Sequence, residues 1–191
     1  MTAYQLPTDE TELDELVSDP STPTETLLAF AVAYVNREVE DNDYLVENLT
    51  SNPSVTAEIL SVIAEDEDPW TRGYAARNPL SPIQVLENCY YDEDPSVRAD
   101  VACNPAAPLA MLASLAEDGE VEVRSAVAFN PSTPVDVLIV LAGDEEEEVR
   151  DMVNEKLTIP VLVEYLKPNF PEVTVEMPRE WLLGLLKTQT V

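Results

Sequence analysis

The sequence predicts an all-α protein, a helical-repeat solenoid of about six 26-residue units with a C-terminal capping helix, on three observations. The pair Asn-Pro recurs at Asn52, Asn78, Asn104 and Asn130, always at an interval of 26. Proline and small polar residues punctuate each unit twice, which divides it into two helices. Between these breaks the apolar residues recur at helical spacing. Other columns keep the same step: Arg72, Arg98, Arg124 and Arg150; Asp66, Asp92, Asp118 and Asp144; Leu60, Leu86, Leu112 and Leu138; Ala76, Ala102 and Ala128. Phased columns of this kind mark a repeat architecture.

Residues 1–12 form an N-terminal segment. In the first unit Asp19-Pro20-Ser21-Thr22-Pro23 matches the Asn-Pro segment but precedes Asn52 by 33 residues, so seven extra residues follow Ala31. In a typical unit Asp68-Pro69 or Asp94-Pro95 opens a short helix, because Asp caps it and proline at the first helical position needs no N–H. Asn-Pro closes that helix, since proline drives the residue before it out of the helical region. Thr22-Pro23, Ser81-Pro82 and Thr133-Pro134 then open a second, longer helix, with Glu25 and Gln84 spaced to complete capping boxes. Its apolar stripe reads Ile83, Leu86, Cys89 and Tyr90, then Leu109, Leu112, Leu115 and Ala116, then Val135, Leu138, Leu141 and Ala142. One helix pair cannot bury such a stripe, so neighbouring pairs must stack on a shared core. The sixth unit is degenerate, with Leu157 in place of proline and Glu164 in place of the column leucine, and the solenoid runs over residues 13–167. Residues 168–191 read as an extended strap, with Pro168, Pro171 and Pro178 around Val173-Thr174-Val175, followed by the capping helix from Arg179 to Lys187. Trp181, Leu182, Leu185 and Leu186 on that helix are expected to cover the last repeat, with an oligomer contact as the alternative.

The runs Val97-Arg98-Ala99-Asp100-Val101-Ala102-Cys103-Asn104-Pro105 and Val123-Arg124-Ser125-Ala126-Val127-Ala128-Phe129-Asn130-Pro131 resemble the variant leucine-rich repeat family. The resemblance covers roughly residues 13–167 and implies alternating short, often 3₁₀, and longer α-helices with no β-sheet. The unit here is slightly longer than that family's usual one. The cysteine-rich iron–sulfur module of its founding example has no counterpart, since no Cys precedes Cys89, and no iron–sulfur role is carried over.

Composition narrows the function. The chain holds 38 Asp plus Glu against 10 Lys plus Arg and no His, a formal charge of −28. Such a chain cannot release the counterions of phosphates, so neither nucleic acid nor an anionic membrane is an expected partner. Without His there is no imidazole base and no His-ligated metal. The acidic turns at Asp66, Asp92, Asp118 and Asp144 do not match a calcium loop and read as helix caps on a solvated edge. The arginine column reads as pairing with those turns, and the asparagine column as backbone caps. Cys89, in the Leu115 and Leu141 column, reads as a small core residue. No catalytic, cofactor or metal residue is assigned, and an enzyme is not expected.

Because the repeated columns are consumed by folding, binding is expected at positions that vary between units: Trp70, Tyr74, Arg77, Tyr91, Phe129, Ile139 and Val140. The expected function is a non-catalytic protein-binding or scaffold module. The dense carboxylates suit the salt-rich cytosol of a halophile, or an assembly or virion component of its virus. The alternative is an inhibitor that imitates nucleic acid, which requires carboxylates confined to one edge. The start of the chain lacks the features of a signal peptide and no apolar run approaches the roughly 20 residues of a membrane span, so a cytoplasmic location is expected.

Overall fold

The computed structural model describes residues 6–39 and 43–186, and all secondary structure among them is α-helix and turn. Contacts divide the chain into Met1–Ala107 and Pro108–Val191. The first unit contains α1 (Glu10–Ser18), α2 (Thr24–Val35), α3 (Asp43–Ser51), α4 (Ala57–Ile63), α5 (Pro69–Arg77), α6 (Ile83–Tyr90) and α7 (Pro95–Cys103). The second contains α8 (Leu109–Leu115), α9 (Val121–Phe129), α10 (Val135–Leu141), α11 (Glu147–Lys156), α12 (Ile159–Leu166) and α13 (Arg179–Leu186). In the first unit α1 packs on α3, α3 on α5, α5 on α7 and α2 on α4, while α6 packs on α5 and α7. In the second unit α9 packs on α11, and α13 packs on α12.

The helix starts after Asp-Pro form as their residues dictate. Asp68 Oδ2 accepts from Thr71 N at 2.8 Å and Asp94 Oδ1 from Ser96 N at 2.9 Å, with proline in the first turn of each helix. The two helix types, however, do not divide into short and long as the sequence suggested. The helices before the asparagine column, α3, α5, α7 and α9, have 9 residues each, while α4, α6, α8 and α10, which follow it, have 7 or 8. Only α2, at 12 residues, is longer than its partner, because the insertion extends it. None of the described helices is 3₁₀.

The capping boxes at Thr22 and Ser81 are also absent. Proline itself occupies the N-cap of α2, α6 and α10, with extended ψ of 140 to 155°, and no side chain caps these helices. The preceding hydroxyl turns back instead. Thr22 Oγ1 donates to Leu16 O at 2.7 Å and Thr133 Oγ1 to Val127 O at 2.6 Å, and Ser81 Oγ makes the equivalent bond to Ala75 O. The bonds to Leu16 O and Val127 O satisfy carbonyls that lie four residues before a proline and so lack the helical donor, whereas Ala75 O also accepts from Asn78 N. Gln84 donates to Asn88 instead.

The core follows the columns: Leu60, Leu86 and Leu112 are at most 2% exposed, and Val97, Val101, Val123 and Val127 are fully buried. The first residue of the stripe is the exception, for Ile83 and Leu109 stand more than half exposed. At 100° per residue Ile83 lies about 110° from the centre of the arc made by Val85, Leu86 and Cys89, which turns it outward. The strap after α12 is a succession of turns rather than extended chain. Phe170 N donates to Leu166 O, Val173 N to Phe170 O and Met177 N to Thr174 O, and Val173 is fully buried.

Candidate functional site

Two ladders consume the repeated polar columns. In the first, asparagine serves two repeats at once. Asn104 Oδ1 accepts from Ala106 N at 2.8 Å, closing its own turn, while its Nδ2 donates to Ala76 O and Asn78 O of the preceding repeat, both at 2.7 Å. Asn52 does the same with Ser54 N, Val17 O and Asp19 O, and Asn78 with Leu80 N and Thr50 O. Asp19, which heads the column, makes only the acceptor half, to Ser21 N. Lys156 stands at the sixth position of the column, one period after Asn130. Its Nζ donates to Phe129 O and Asn130 O at 2.7 Å, and burial lowers its pKa.

The second ladder joins arginine to the aspartate of the following repeat. Arg72 Nε and Nη2 grip Asp92 at 2.7 and 2.8 Å, while its Nη1 donates to Asp66 O and Glu67 O of its own turn. Arg124 holds Asp144 at 2.7 and 3.0 Å in the same manner, and donates to Asp118 O and Gly119 O. Each aspartate also closes a turn into the next helix, Asp92 with Asp94 N and Asp144 with Glu146 N. The Arg124 hydrogen bonds hold the Asp144 carboxyl below 3.8, against opposing burial. Burial also raises Asp92, but its bonds to Arg72 and Asp94 N outweigh that and leave it lowered.

Sequence reasoning missed Arg37. Val46 occupies the arginine column of the second repeat, which leaves Asp66 without a base at that position. Arg37 supplies it from the insertion, with Nη1 and Nη2 at 3.0 and 2.7 Å from a fully buried Asp66 carboxylate. Its φ of 60° makes it the left-handed residue that ends α2, with Glu38 N bonded to Ala33 O and Arg37 N to Tyr34 O. The gap in the arginine column was the available signal.

With the columns engaged, among the described residues no group of three or more Cys, Asp or Glu is placed to hold a metal ion. Burial pushes the Cys89 thiol up to about 11, so it stays protonated in the core.

The variable positions fall into three sets. Trp70, Tyr91 and Phe129 are 67%, 82% and 71% exposed. The Tyr91 ring meets Tyr90 edge-on, with centroids 4.6 Å apart. Tyr44 joins this set, at 74% exposure and one period before Trp70. Tyr74 and Arg77 line a groove of about 590 Å³ between the turns at Asn52-Pro53 and Asn78-Pro79, with Leu80 at its margin. Arg77 is not free there, because its Nε donates to Asp100 Oδ1 at 2.7 Å. Gly73 lets Asp100 approach, since a Cβ at Gly73 would collide with Asp100 Oδ2.

The third set is in the second unit. Ile139 is half-buried and Val140 exposed, and both meet α13 residues in two adjoining hollows. On α13 Leu182 and Leu186 are buried, Leu185 is half-buried and Trp181 is 45% exposed. Lys187 lies outside the described residues. No helix among the described residues is long and apolar enough to cross a membrane. Comparison with family models, curated proteins and solved structures gives no match.

Proposed function

We propose that the chain is a non-catalytic protein-binding module, six helix pairs stacked as a solenoid of the kind the variant leucine-rich repeat resemblance implies. The supporting observation is the division of labour among its residues. Repeated polar residues are paired within the protein, while Trp70, Tyr91 and Phe129 stay in water at positions that no column requires. Exposed aromatic rings are common anchors of protein interfaces. The acidic setting favours a partner with a basic surface, since opposite potentials steer encounter and suppress wrong partners.

Imitation of nucleic acid is less well supported. Exposed carboxylates are scattered over many elements, among them Glu12 on α1, Glu58 on α4, Glu87 on α6, Glu122 on α9 and Glu180 on α13. The regular column aspartates are turned to arginine instead.

The test is capture from the source cell's lysate at its native salt, with the wild-type chain against one carrying Trp70→Ser, Tyr91→Ser and Phe129→Ser. Loss of these anchors should lower recovery of a protein partner by at least about tenfold. Equal recovery by both chains, or recovery of none by either, contradicts the reading.

A further inference from the structure

The second unit carries an apolar groove that the columns do not fill. Ile139 and Val140 of α10 face Leu183 and Leu186 of α13, and Ile139, Val140 and Leu186 line both of two adjoining hollows. One hollow, about 350 Å³, extends over Ala113 and Ala116 of α8 to Tyr165 of α12. The other, about 330 Å³, extends over Ala142 and Gly143 toward Asn154. Val140 at the shared wall is 54% exposed.

Among the described residues, the charges that line this groove are of one sign. The charged side chains that line it are Glu117 and Asp136, both exposed. Of the described bases in this unit, Arg124 is held by Asp144, Lys156 by Phe129 O and Asn130 O, and Arg179 by Leu157 O and Asn154 Oδ1. An occupant bearing Lys or Arg would complement this acidic rim. Two hollows side by side suit a helix, because residues three and four apart project from one face and enter neighbouring pockets.

We infer that this groove receives an amphipathic helix of a partner protein, with apolar anchors seated in the two hollows and Lys or Arg facing Glu117 and Asp136. The inference rests on the protein-binding reading above and gives it a site and a partner chemistry.

The test uses the full chain and two synthetic amphipathic helices with identical leucine faces, one flanked by Lys and Arg and the other by Glu. Binding is followed by fluorescence titration and by residue-resolved NMR shifts, at the lowest salt that keeps the chain folded. The basic helix should shift Ile139, Val140, Leu183 and Leu186 and bind at least about tenfold tighter than the acidic one. Val140→Arg should weaken it at least about tenfold, and Glu117→Lys with Asp136→Lys by about fivefold, an effect that fades in 1 M salt. All three positions are exposed, and the charge variant provides the result if Val140→Arg disturbs folding.

Equal binding of the two helices overturns the inference. So does a dimer that Val140→Arg abolishes, or an affinity that rises when residues 187–191 are deleted, since these assign the groove to a second copy or to the chain's own end. Shifts confined to Trp70, Tyr91 or Phe129 overturn the groove while leaving the protein-binding reading in place. Failure of that reading is recognised separately, by lysate capture that is absent or indifferent to the aromatic variants.

Discussion

Arg124 and Asp144 show how much one link of a ladder carries. Their side chains are 8% and 5% exposed, so removal of either partner strands a buried charge. Arg124→Met should cost about 3–5 kcal/mol, read from urea unfolding at neutral pH. The pH dependence has a definite sign. Asp144 has a folded-state pKa below 3.8, so its contribution is full above the unfolded value and is lost as pH falls through the lowered one. The stability gap between wild type and Asp144→Asn should therefore be constant above about pH 5 and shrink below pH 3.8. A gap that widens on acidification would contradict the pairing. Lys156 gives a second test, because its ammonium stands in for an asparagine amide. Lys156→Met leaves Phe129 O and Asn130 O without that donor and should cost about 1–3 kcal/mol.

At the scale of elements, helix starts, helix ends and the buried leucine columns were legible in the sequence because local chemistry decides them. Proline fixes φ wherever it stands, and Leu112 keeps its phase whatever lies beyond it. Leu112→Ala should cost about 2–5 kcal/mol, and a cost below about 1 would contradict the register. What was not legible depended on groups distant in sequence. Thr22 and Thr133 looked like caps but reach back six residues, since the proline after each already sets the helix entry. The asparagines looked local, yet five of the eight described side-chain bonds of Asn52, Asn78 and Asn104 cross to the preceding repeat. Arg37 lies in an insertion where no column places it; the gap at Val46 signals that a base is missing, and the contact with Asp66 shows which residue supplies it. The pairing of Ile139 and Val140 with α13 depends on the return of the chain through the turns at Phe170–Met177. For α13, deletion of residues 178–191 should lower stability and amide protection in α12, because Leu182 and Leu186 would no longer cover it. Unchanged protection in α12 would favour an oligomer contact instead.

For the whole molecule, charge and repetition set the behaviour. A charge of −28 on 191 residues repels itself, and ions screen that repulsion over about 10 Å at 0.1 M and about 3 Å at 1 M. Melting temperature should therefore rise with potassium chloride, as a protein suited to a salt-rich cytosol would show, and a flat or falling trend would contradict that expectation. Repetition separates the residues that fold the chain from the exposed ones on which the proposed binding role rests. Urea unfolding of two variants tests this separation most directly. Asn104→Ala removes both bonds to the preceding repeat from a fully buried side chain and should lose about 2–4 kcal/mol. The chain with Trp70→Ser, Tyr91→Ser and Phe129→Ser should change by less than about 0.5 kcal/mol per site, as exposed positions do. A surface variant that unfolds as early as the Asn104 variant, or an Asn104 variant as stable as wild type, would contradict the account.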